Sequence, residues 1–142
     1  MNKNIEFLNY IAQNAKMGVD TLSIIIKDID GNQFKTILLD QLEEYISVYD
    51  QAKDMLKDMN SDTKEIGALA QMGTYMSTKI NISKDDSHSH IAEMIIQGST
   101  MGITDVTKHI NKYDEADIDV IKLAKRLLRI EEENIDEMKP YL

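Results

Sequence analysis

Ile95-Ile96-Gln97-Gly98-Ser99-Thr100-Met101-Gly102 is apolar on one side, polar on the other, and carries two glycines four residues apart. The chain writes this frame twice. Ile11-Ala12-Gln13-Asn14-Ala15-Lys16-Met17-Gly18 repeats the pattern I-x-Q-x-x-x-M-G at an offset of 84, position 11 against position 95. A second echo follows in the same order. Leu38-Leu39-Asp40-Gln41-Leu42-Glu43-Glu44-Tyr45-Ile46 aligns with Leu127-Leu128-Arg129-Ile130-Glu131-Glu132-Glu133-Asn134-Ile135 at an offset of 89, with five of nine positions identical. Two matches in order at similar offsets indicate two similar αα-hairpins.

Periodicity supplies the helices around these echoes. Ile5, Leu8, Ile11, Ala15, Leu22 and Ile26 share one face at 3.6-residue spacing and predict a helix over 3–29, which Asp30-Gly31-Asn32 stops. A second helix is expected over 33–59, with Phe34, Leu38, Leu42, Tyr45, Tyr49, Ala52 and Leu56 inward. Asp62-Thr63-Lys64-Glu65 resembles a capping box and opens a shorter helix over about 63–80. A polar loop at 81–87 leads to a helix over 88–112, and Tyr113-Asp114-Glu115-Ala116-Asp117 turns into a last one over 117–139, closed by Pro140. Its inward residues are expected to be Val120, Leu123, Ala124, Leu127, Leu128, Ile135 and Met138. Helices of about 25 residues are roughly 38 Å long, so two hairpins joined by a helix make a four-helix bundle with one long crossover. Gly18, Gly98 and Gly102 are expected to let helix axes approach at mid-bundle.

The bulk numbers narrow the function classes. The chain has 142 residues, 42% of them hydrophobic, which suits a single globular domain over 1–142. With 25 acids against 16 bases the net charge is −9, which disfavours nucleic acid and anionic lipid as partners. The run Leu22–Ile26 is far short of a signal or spanning segment, so a cytoplasmic location is expected. The absence of cysteine removes disulfides, thiolate metal sites and thiol catalysis. No Gly-rich phosphate loop, strand pattern or Ser-His-Asp arrangement is present.

Hairpin duplication, the crossover and the Leu-Leu-x-x-x-Glu-Glu segments resemble the ferritin-like four-helix-bundle superfamily, in particular its small bacterial members of unknown function that lack di-iron ligands. The resemblance covers nearly the whole chain. Metal-loaded members carry an inward glutamate plus Glu-x-x-His on the second helix of each hairpin. At the matching positions this chain has Leu42 and Tyr45, then Glu131 and Asn134. One inward carboxylate cannot supply the roughly six ligands of a two-ion centre, so no metal and no cofactor is expected.

Glu131 remains to be accounted for, because an unpaired buried carboxylate costs several kcal/mol. It is a polar core contact to Tyr45, Tyr49, Ser99 or water, or a single-metal remnant with Asn134, Asp105 and His109, or a residue rotated out to solvent. Asp105 and His109, four apart, suit a helical ion pair better than a metal. His90, Met94 and Met101 flank the same line and would suit copper(I). Three histidines are few for that role, and nine methionines fill core gaps. His88 and His90 are expected as exposed loop residues. The functional expectation is a non-catalytic bundle acting as an interaction or scaffold module, through a protein partner or as a homodimer. The alternative is a metal-binding or oxidative protein with a reduced, atypical site.

Overall fold

The computed structural model of the chain describes residues 2–30, 32–61 and 87–142. The helix expected over 63–80, its Asp62 cap and residues 81–86 of the polar loop lie outside them. Four α-helices stand among the described residues, with no strand: α1 (Lys3–Ile26), α2 (Gln33–Asp58), α3 (His88–Lys112) and α4 (Ile118–Met138). A 3-10 turn, Lys139–Tyr141, carries Pro140 just past α4. No described helix is long and apolar enough to cross a membrane.

Short polar side chains set three of the four helix starts. Asn2 accepts from the Asn4 N–H, Asn32 from the Lys35 N–H and Ser87 from the His90 N–H, each satisfying a main-chain donor that the first turn leaves free. Asp117 makes no side-chain cap; its own N–H instead donates to Asn4 Oδ1 at 2.7 Å and ties the start of α4 to the start of α1. α1 ends three residues earlier than its apolar period suggests, yet Ile29 stays buried in the turn that follows.

Side-chain pairs fix the helix directions. Tyr45 meets Glu131 and Gln41 meets Glu137, so α2 and α4 run antiparallel. Phe7 stacks on Tyr113 at 5.1 Å between ring centroids, which puts the start of α1 at the end of α3. Phe34 stacks on His88 at 4.3 Å and meets Tyr141 edge-on, so α2 and α3 begin at the same end and run parallel. α1 packs on α2, α3 packs on α4, and the two hairpins join where α2 meets α4, while α1 and α3 touch little and α2 and α3 least.

The core phase differs from the sequence reading in both second helices. In α2 the buried line is Phe34, Leu38, Gln41, Tyr45, Val48, Ala52 and Leu56, with Leu42 and Tyr49 only half-buried. In α4, Glu131 and Asn134 are buried at the inward positions expected of them and Ile130 joins them, whereas Leu128 and Ile135 are half-buried. Spacings of three and four keep a straighter seam than an apolar-only choice, and the seam admits Gln41 and Asn134. His88 and His90 belong to the first turn of α3 and not to a loop; His88 is exposed but carries the Phe34 stack, and His90 is half-buried.

The glycines serve side chains more than axes. A Cβ on Gly18 would stand 2.7 Å from the Tyr45 ring, and one on Gly102 would stand 2.9 Å from the Glu131 carboxyl. Each makes room for a large residue of the next helix. Gly98 differs, because a Cβ there would meet nothing within 4 Å among the described residues.

Candidate functional site

The polar centre of the bundle is built from one residue of each of three helices and one more from α4. The Tyr45 hydroxyl donates to Glu131 Oε2 at 2.7 Å, and Asn134 Nδ2 donates to the same hydroxyl oxygen at 3.0 Å. The Ser99 hydroxyl bonds to the Glu131 carboxyl from α3. All four side chains are buried, and Glu131 is only 4% exposed. The reading in which Glu131 rotates out to solvent is therefore overturned, and its partners are Tyr45 and Ser99 rather than Tyr49. Tyr49 is half-buried, with the Lys16 and Lys53 ammonium groups over its ring.

Burial dominates the electrostatics. Removal from water penalises the charged carboxylate and pushes Glu131 up to about 7, against the opposing hydrogen bonds from Tyr45 and Ser99. Burial together with the Glu131 charge holds the Tyr45 phenol well above its usual range, so it remains a donor. A buried carboxyl with a phenol donor at 2.7 Å is a satisfied polar contact.

The four residues singled out in the sequence as weak metal candidates do not converge. Glu131 and Asn134 meet around the Tyr45 hydroxyl, and Asp105 lines the same side of the bundle. His109 faces elsewhere. Its Nδ1–H donates to the main-chain oxygen of Asp105 at 2.8 Å, and its ring stacks on Tyr10 at 3.5 Å between centroids. The expected Asp105–His109 ion pair is thus replaced by a bond to the backbone, because the Tyr10 ring holds the imidazole flat against α1. Met94 is buried while Met101 is 66% exposed, so the soft ligands do not form one cluster either.

A two-ion centre does not fit this donor set. The Tyr45 hydroxyl occupies one oxygen of the buried Glu131 carboxyl. Among the described residues no group of three or more His, Asp or Glu side chains is placed to hold an ion.

Between α1 and α3 lies a cavity of about 610 Å³, with Tyr45, Glu131, Asn134 and Gln41 at its floor. Met17, Leu22, Ile25 and Ile95 supply apolar wall, and Gly98 opens into it. Gln41 is a residue that the apolar period passed over. It is 2% exposed, and its Nε2 donates to Glu137 Oε1 at 3.2 Å across the hairpin junction. The signal that could have found it was the three-four alternation through Leu38, Tyr45 and Val48.

No protein-family model, curated protein or solved structure matches the chain.

Proposed function

We propose that the protein is a non-catalytic, ferritin-like bundle that works as an interaction module. The carrying observation is the Tyr45 hydroxyl donating to Glu131, the one buried acid among the described residues. The parallel start of α2 and α3 at one end supports the crossover order of a ferritin-like bundle. So does the sequence echo, since the glycines it aligns, Gly18 and Gly102, each seat a side chain of the helix that follows. On the outside, Leu39 and Ile46 are 41% and 39% exposed one heptad apart on α2, an apolar pair on one helix face available to a second copy.

Two measurements test the reading. Protein purified without a tag should contain no stoichiometric iron, manganese, zinc or copper. One ion per chain, lost in Glu131→Gln, overturns the proposal in favour of a reduced metal site. Size exclusion with light scattering should show a dimer that Leu39→Lys weakens; a monomer at all concentrations removes self-association from the proposal.

A further inference from the structure

The outer face of α4 carries its charges in an order that the helix itself does not reward. Residues seven apart share one line along a helix. Three such lines run along the outside of α4: Lys122, Arg129 and Asp136; Lys125 and Glu132; Arg126 and Glu133. Each begins with a base and ends with an acid. The macrodipole favours acids near the start and bases near the end, yet the last turn of α4 holds no base. Pairing within a helix also prefers the acid first, whereas here Arg129 precedes Glu133, at 3.8 Å.

The same order is self-complementary about a two-fold axis. Turned end for end, each line runs against its own copy, and every base comes level with an acid. The midpoints agree: 129 for Lys122 and Asp136, 128.5 for Lys125 and Glu132, 129.5 for Arg126 and Glu133. One register centred on Arg129 therefore satisfies all three lines, and an isologous contact makes each pair twice. Arg129 meets its own mate at the centre, where the Glu133 carboxylate beside it offsets the like charge.

This face is open. The Arg129, Glu133 and Asp136 side chains are 67%, 63% and 74% exposed, and Lys122, Lys125 and Glu132 are exposed as well. Arg126 is partly engaged within the chain, at Ser47 and Glu44. Lys122, Lys125 and Arg129 balance Glu132, Glu133 and Asp136, in a chain whose net charge is −9. Two copies can approach here without the repulsion that the acidic excess creates elsewhere.

We propose that two copies of the chain pair through α4, antiparallel and centred on Arg129. The pairs are exposed and the contact is one helix face, at the small end of specific interfaces, so the association is weak and salt-sensitive. The inference rests on the proposed self-association and adds a contact on a face other than that of Leu39 and Ile46. Testing it in Leu39→Lys chains separates the two, since that substitution disables the α2 pair and leaves α4 untouched.

The sequence contains no cysteine, so one introduced cysteine reports alone. Helix axes about 10 Å apart, with Cα atoms about 2.3 Å off axis, bring the two Cα atoms of position 129 to roughly 5 Å, within disulfide reach. Under a mild oxidant at low salt, Arg129→Cys should link into a dimer about tenfold faster or more than Glu93→Cys, an exposed position on α3. Added sodium chloride should remove that advantage. Lys125→Glu and Glu132→Lys, each combined with Arg129→Cys, should also lose it, because like charges then face each other. An equal mixture of those two chains should regain it as the mixed dimer alone, since each supplies the charge the other lost. Circular dichroism should find helix content unchanged in every variant, because the altered side chains are exposed. The proposal is overturned if Arg129→Cys links no faster than Glu93→Cys, if the charge reversals leave its rate unaltered, or if the mixture links no faster than either chain alone. Fast linking beside a parent dimer that Leu39→Lys does not weaken would remove the α2 contact and keep this one.

Discussion

Glu131 is an acid enclosed among apolar side chains, and its protonation is linked to folding. Its folded value of about 7 lies above the ordinary 4.5 of the unfolded chain, so between those limits the folded state holds the proton more tightly. Stability from this group is fully present below about pH 4.5 and is lost as pH rises towards 7, by roughly 3 kcal/mol in all. Burial also raises Glu137, so it acts in the same direction. The parent protein should accordingly unfold at lower urea concentration at pH 8 than at pH 5. Glu131→Gln should shrink that difference and gain stability at pH 8, where no buried charge is left to solvate. An unchanged pH slope in the variant would show that the acid exchanges freely with water. Tyr45→Phe acts on the opposite side of the bond: it takes a donor from Glu131 and an acceptor from Asn134, and should cost about 1–3 kcal/mol, more at pH 8 than at pH 5.

At the scale of the helix, the three mid-bundle glycines separate propensity from packing. Gly98→Ala gains helix propensity with nothing to strike and should stabilise by about 1 kcal/mol. Gly18→Ala has the same gain but drives a methyl into the Tyr45 ring, so overpacking of about 1–3 kcal/mol wins and the net change is a loss. Urea midpoints of the two variants should move in opposite directions; movement in the same direction would mean that Tyr45 yields. This contrast also marks what was legible in the sequence. The bounds of α3 match its apolar period, and those of α1, α2 and α4 fall within a few residues, because amphipathic periods and turn residues are local signals. Inward phase was legible less well. Gln41 is polar, so a search for apolar residues chose Leu42 beside it, whereas Glu131 and Asn134 were placed inward from the sequence and are buried. The Tyr45–Glu131 contact stood in the sequence as one of several alternatives for a buried acid, and side-chain placement decided among them. The cavity was not, since it arises from how far α1 stands from α3, which no local pattern encodes.

The whole molecule carries a net charge of −9, and that excess acts over longer range than any single pair. Ion pairs such as Lys3–Glu115, Arg129–Glu133 and Lys139–Asp136 lie at the surface, where water and salt leave each of them little effect on stability. Added salt screens those attractions, but it also screens the repulsion among acids spread over every helix, Asp40, Glu43, Glu44, Asp119, Glu132 and Glu133 among them. The repulsion is the larger sum, because acids outnumber bases by 25 to 16 and unfolding lets like charges move apart. The Tyr45–Glu131 bond is buried and is not reached by the screening ions. Raising sodium chloride from about 20 mM to about 300 mM should therefore raise the melting temperature by a few degrees at pH 7.5, followed by circular dichroism. Sodium sulfate would confuse this with stronger apolar burial, so chloride is the salt to use. A fall in melting temperature would instead assign the surface pairs a larger share of stability than their exposure allows.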